Sequence, residues 1–127
     1  MEGILGRFAP YIYALLRIVS GLLFACHGAQ KVFGVFGGHQ VPIMSQFGLA
    51  GAIELVGGVM IAAGIFASLA AFICSGEMAV AYFQQHAPGG LLPLQNGGEL
   101  AVLYCFVFLY VAARGNGTLS VQGGKKR

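Results

Sequence analysis

FGLAGAIELVGGVMIAAGIFASLAAFICSGEMAVAYF, residues 47–83, is apolar almost from end to end and carries only two charged residues, Glu54 and Glu77. A bilayer core of about 30 Å takes about 20 residues of helix per crossing, so this run is too long for one span and long enough for two. The chain must therefore turn back within residues 64–68 through a very short connection. The expected spans are about residues 47–66 and 67–85.

Two more spans lie outward of this pair. Upstream, residues 8–33 form an apolar run with Pro10 in its opening turn, where the missing N–H does no harm. Residues 34–46, with Gly37, Gly38, His39 and Pro42, read as the first loop. Downstream, residues 86–98 hold Pro88, Gly89, Gly90, Pro93, Asn96, Gly97 and Gly98, which cannot continue a helix. A fourth span of about residues 98–114 follows and should end at Arg114 and Gly115; its apolar part is the shortest of the four.

Composition agrees with this reading. Apolar residues make up 57% of the chain, and only 9% of residues are charged. A soluble globular domain carries roughly 25% charged residues. Lipid is thus the expected solvent for most of the chain, and four spans with short loops leave room for one domain, residues 1–127. Many of the 21 glycines fall inside the spans. There they let helix backbones approach closely. The expected fold is all-α, an integral membrane four-helix bundle.

Four spans put both termini on one side, together with Arg7, Arg114, Lys125, Lys126 and Arg127, while the opposite loops carry Lys31. The positive-inside rule then places both termini in the cytoplasm. The net charge of +3 is thinly spread and makes no nucleic-acid-binding surface. A cleaved leader competes for the start of the chain, since Leu23-Phe24-Ala25-Cys26 has some likeness to a lipoprotein cleavage site. Arg17 inside the apolar run argues against it. Cys26, Cys74 and Cys105 lie far apart, with no CxxC pair or zinc-ligand spacing, and are expected to be buried small apolar residues.

The acidic residues are Glu2, Glu54, Glu77 and Glu99, and the last three fall within or at the edge of spans. A carboxylate at mid-membrane costs at least about 2.5 kcal/mol on insertion scales, so each should face the interior and find a partner or a proton. Gly51, Glu54, Gly58 and Ala62 make one inward stripe, and Ala70, Cys74, Glu77, Ala81 and Gln84 another. On the first span Ser20, Phe24, His27 and Lys31 line up, with Arg17, Gly21 and Gly28 beside them.

Two readings of these groups compete. In one, Arg17, His27 and Lys31 neutralise Glu77, Glu54 and Glu99 as ties between helices. In the other, a carboxylate, His27 and Cys26 face a pocket that binds a small molecule or relays protons. His39 and His86 lie on the same side as His27, but without ligand-type spacing, so no metal site is expected. Tyr82, Phe83, Tyr104, Phe106, Phe108 and Tyr110 suit either a quinone wall or contact with lipid. No flavin, haem or iron–sulfur ligation pattern is visible, so electron transfer would need a partner subunit or direct substrate-to-quinone chemistry.

Several segments, in this order, resemble the DoxX family of small four-helix bacterial membrane proteins. They are residues 17–21 with His27-Gly28-Ala29-Gln30-Lys31-Val32-Phe33-Gly34; Glu54-Leu55-Val56-Gly57-Gly58 with Gly64; Glu77-Met78-Ala79-Val80-Ala81-Tyr82 leading to His86; and Asn96-Gly97-Gly98-Glu99-Leu100-Ala101 with Tyr104 and Phe108-Leu109. The turn Phe66-Ala67-Ser68-Leu69 lacks a basic residue often found there, and Leu119-Ser120-Val121 lacks the acidic residue that commonly closes the pattern.

The resemblance implies a multi-pass protein of the bacterial inner membrane. It also implies an association with redox metabolism, since the family name is linked to small subunits of a thiosulfate:quinone oxidoreductase and some members to thiol stress. The expected function is binding of a quinone or small sulfur compound by Glu54, Glu77, Glu99, His27, Lys31, Arg17 and Asn96, with the chain a candidate oxidoreductase subunit. Expected partners are the lipid bilayer, a redox subunit and further copies of the chain, but no nucleic acid. Two alternatives stand beside it: a subunit that anchors a soluble enzyme, and a transporter of a small solute or protons, for which an oligomer would enclose the path.

Overall fold

A computed structural model of the chain describes residues 1–123, and these form helices and turns with no strand among them. Four long helices dominate: α1 (Ala9–Phe33), α2 (Gln46–Ala63), α3 (Ala67–Ala81) and α4 (Glu99–Arg114). Short helical turns at Glu2–Leu5 and Gly6–Phe8 lead into α1, and Lys125, Lys126 and Arg127 of the topology argument lie outside the described residues.

The expected break in the central run occurs at Gly64. Its φ of 74° is left-handed, and its N–H closes α2 on the Met60 and Ile61 carbonyls. Glycine adopts that conformation without steric cost, which is why it so often ends a helix. The turn is short enough that Phe66 is also left-handed, at φ 46°. For a bulky side chain that is an unfavourable state. The third span also departs from expectation. Regular α-helix stops at Ala81 rather than running to residue 85, and Tyr82–His86 continues as a π-turn.

Glu2–Phe33, taken as one continuous helical stretch, and Gln46–Ala63 are long and apolar enough to cross a membrane. The other two, α3 with 15 residues and α4 with 16, are shorter. At about 1.5 Å per residue they rise only roughly 22 to roughly 24 Å, and so fall short on length alone. The outer surface is apolar on all four: Leu23, Val56, Phe72, Leu103 and Phe106 are each more than half exposed. A soluble monomer rarely shows such a contiguous apolar surface, whereas lipid tails solvate it.

The helices associate in pairs. α1 packs most extensively on α2, α4 packs on α3, and the contact of α2 with α3 is smaller. Glycine makes the first pair close. A Cβ on Gly21 would stand 2.6 Å from the Ala62 nitrogen, and one on Gly58 2.6 Å from the Ala25 nitrogen. The backbones thus touch where side chains would otherwise separate them. Between the pairs, Phe24 meets Phe108 edge-on at 4.8 Å and Tyr104 at a tilt at 5.0 Å. Both are favourable geometries for aromatic rings. Of the three cysteines Cys74 is buried and Cys105 half-buried, but Cys26 is exposed, on the outward face of α1 that it shares with Leu22 and Leu23.

One end of the molecule is closed by Arg17 and the segment after α4. The guanidinium is fully buried, and its Nε donates to the Ile61 carbonyl at 2.9 Å. Its other nitrogens donate to the carbonyls of Asn116, Thr118 and Leu119, the last at 2.7 Å. The same segment answers the strained turn: Gln122 Oε1 accepts from the Phe66 N–H at 2.7 Å, and Asn116 Oδ1 from the Ala67 N–H at 2.9 Å.

Tyr13 donates to the Gly115 carbonyl at 2.6 Å, and Thr118 lies against Pro10, so the start of α1 and the end of α4 share this end. The expectation that Arg17 pairs with a glutamate is therefore corrected. The last carbonyls of a helix lack partners within it, and the multi-donor guanidinium fork at the end of α2 meets them and the tail together.

Candidate functional site

At the opposite end residues of all four long helices line a cavity of about 580 Å³. α1 contributes His27 and Lys31, α2 contributes Glu54, α3 contributes Glu77, and Tyr104 of α4 forms part of the wall. The rest of the lining is mostly apolar, including Phe24, Phe47, Ile53 and Met78. This volume lies within the range of small-molecule sites, which combine apolar walls with a few placed polar groups.

The polar groups form a chain across the cavity. Lys31 Nζ donates to Glu54 Oε2 at 2.6 Å, and the Glu54 side chain is 1% exposed where that of Lys31 is 33%. Glu54 is brought here by the stripe of Gly51 and Gly58, which seats its face of α2 against α1. The Glu77 side chain lines the same cavity as Glu54. Glu77 Oε1 is buried, yet no donor among the described residues reaches it. One ammonium and two carboxyls thus line a single apolar-walled cavity.

Around this chain the aromatic groups are ordered. The His27 ring stands edge-on to Tyr104 at 6.0 Å, and Tyr104 stacks on Phe108 at 5.4 Å. Of the six aromatics proposed for a quinone wall, Tyr104 is the one that lines the cavity. Phe108 is buried in the core, while Phe83, Phe106 and Tyr110 are exposed.

The remaining sequence candidates fall elsewhere. Arg17 lies nearly three turns before His27 on α1, about 15 Å along the axis, at the closed end. Glu99 is exposed in the first turn of α4 and does not line the cavity. A carboxylate there favours the helix dipole. Lys31 pairs with Glu54 rather than Glu99, which corrects the expected set of ties.

Asn96 works one step removed from the cavity. Its amide donates to the Tyr82 hydroxyl and the Gly90 carbonyl, both at 3.1 Å, and its Oδ1 accepts from the Gly98 N–H at 2.9 Å. These bonds fix the loop over the π-turn, and His86 reaches the cavity rim with Nδ1 3.4 Å from the Asn96 carbonyl.

Sequence reasoning missed Gln46. It lines the rim and hydrogen-bonds Gln84 across the gap between α2 and α3. The available signal was Gln84, two turns beyond Glu77 on the same stripe, facing the polar start of the second span. The π-turn was also not anticipated; such turns widen a helix locally and recur at functional sites. Among the described residues no group of three or more His, Cys, Asp or Glu side chains is placed to hold a metal ion.

The arrangement resembles other proteins in sequence. No solved structure matches the chain. A protein of Haemophilus influenzae, described only as uncharacterized, is 40% identical over 125 residues, which cover 93% of each chain. The DoxX pattern matches residues 12–87, a segment that holds His27, Lys31, Glu54 and Glu77 and ends before Asn96 and Glu99. With more than half its length matched, and with the Lys31–Glu54 pair and Glu77 inside the matched part, this chain belongs to the DoxX family.

Proposed function

We propose that the chain is a single-domain, four-span bundle of the bacterial inner membrane, with both termini cytoplasmic, that binds a quinone or a small sulfur compound in redox metabolism. The observation that carries this reading is the combination in one apolar-walled cavity of the Lys31–Glu54 ion pair with a second carboxyl, Glu77, whose Oε1 has no donor among the described residues. Ionisable groups within a membrane are expensive and are kept where they bind or move protons. Glu77, Glu54 and His27 are the groups that would exchange a proton with the bound molecule, and Lys31 balances their charge. Asn96 and the loop it organises hold the rim, and electrons pass to or from a partner subunit or a second substrate.

The test is extraction. Protein purified in mild detergent is treated with organic solvent, and bound small molecules are identified by mass spectrometry beside a Glu54→Gln Glu77→Gln variant. A near-stoichiometric quinone or sulfur compound present in the native protein and lost in the variant supports the reading. Ordinary lipid alone in both samples overturns it and favours a subunit that anchors a soluble partner.

A further inference from the structure

The cavity meets the outer surface between α2 and α3. Leu49 and Ile53 of α2 and Val80 of α3 line it, yet each is more than a third exposed. A side chain that does both marks a place where the cavity opens. At helical spacing Leu49 and Ile53 continue into Val56, and Val80 follows Ile73 by two turns. Val56 and Ile73 belong to the exposed apolar surface of the bundle, so the opening faces its flank, where the acyl chains lie, rather than its end. Two contacts between the same helices limit it. Deeper in the bundle a Cβ on Gly57 would stand 2.5 Å from Cys74 Sγ, so the helices are close there. Toward the rim the Gln46–Gln84 hydrogen bond bridges them. Between residues 46 and 57 α2 rises about 16 Å. Within that slot Ile53 and Glu54 are consecutive, the first exposed and the second buried, so the passage is apolar outside and charged inside.

Resting on the quinone reading above, we infer that the ligand is a tailed molecule dissolved in the bilayer, which enters sideways through the slot between α2 and α3. Its polar ring reaches Glu54 and Lys31, and its apolar chain leaves between Ile53 and Val80 into the lipid. Along that path the chain exchanges lipid for apolar side chains and never meets water. A water-soluble sulfur anion gains nothing from such a passage, and burying its charge among these side chains is costly. The slot thus decides between the two ligand classes in favour of the lipid-soluble one.

The experiment is photolabelling of the full-length protein in lipid nanodiscs with a ubiquinone whose alkyl tail carries a diazirine close to the ring. Labelled residues are located by mass spectrometry, with and without an excess of decylubiquinone as competitor. Labelling of Leu49, Ile53 or Val80 that the competitor suppresses is the expected result. The competitor concentration for half-protection is then compared among native protein, Val80→Trp, which fills the slot, and Phe72→Trp, which enlarges a side chain on the outer surface of the same helix away from the cavity. Val80→Trp should raise that concentration at least about tenfold, since it displaces several methylenes of the tail, and Phe72→Trp should leave it within about twofold.

Suppressible labels confined to the 86–98 loop, or to the side where α1 faces α4, overturn the inference and leave the quinone reading standing. An unchanged half-protection in Val80→Trp overturns it too, as does an equal loss in Phe72→Trp. Absence of suppressible labelling on every residue that lines the cavity overturns the quinone reading itself. The labelling pattern needs no variant, so the inference can be tested even where a substitution prevents folding.

Discussion

The two ends of the helix stack handle buried charge in opposite ways. At the closed end Arg17 is fully buried, and backbone carbonyls from two segments accept from all three of its nitrogens. At the cavity end Lys31 and Glu54 satisfy each other, while Glu77 keeps an oxygen that no donor among the described residues reaches. A satisfied buried ion rigidifies the structure around it, whereas an unsatisfied one stores free energy that a ligand or proton can release. The contrast separates a residue that holds the fold from one that is available for chemistry, although both are ionisable groups inside an apolar protein.

This contrast breaks most easily at Arg17. Arg17→Met strands the carbonyls of Ile61, Thr118 and Leu119 without donors. It should destabilise the protein by about 4 kcal/mol. Denaturant titration followed by circular dichroism reads it, and a loss below about 1 kcal/mol would make the closed end no different from the other. Asn116→Ala removes the acceptor for the Ala67 N–H at the start of α3. It should cost less, about 1 kcal/mol. The same titration checks it, and full stability would mean that the tail is not needed to cap that helix.

At the cavity end the expected effects are smaller still or partly recoverable. Lys31→Met should cost about 1 kcal/mol, discounted for solvent screening, and adding Glu54→Gln should recover most of it. The discount applies because a third of the Lys31 side chain is exposed. A double-mutant cycle with no coupling would show that the pair is not an energetic unit. Glu77→Gln breaks no bond from a protein donor to Oε1 among the described residues. Its effect on stability should be about 0.5 kcal/mol at most, in either direction. A large loss there would make Glu77 structural and erase the difference between the ends.

Much of the fold was legible because it follows from length. The run over residues 47–83 could not cross once, and its turn had to fall near Gly64, the residue that ends α2. The stripe carrying Gly51, Glu54 and Gly58 was readable from helical spacing and is buried. The role of Arg17 was not readable, because backbone carbonyls are its partners and every residue in the sequence has one. The segment that supplies most of them has no periodicity, and only the folded chain brings it to Arg17. Glu99 was misplaced for a related reason: a span edge marks depth along the chain, not the direction in which a side chain faces.

The closure at Arg17 also sets an order of events in biogenesis. The tail carbonyls that satisfy its guanidinium lie 99 to 102 positions later in the chain. Those partners are therefore synthesised long after the helix that carries Arg17. Until the segment after α4 has been made, the guanidinium has to find other acceptors, such as water. The segment after α4 thus completes the shelter of Arg17, and a chain stopped after Arg114 would leave that cation without its Asn116, Thr118 and Leu119 acceptors.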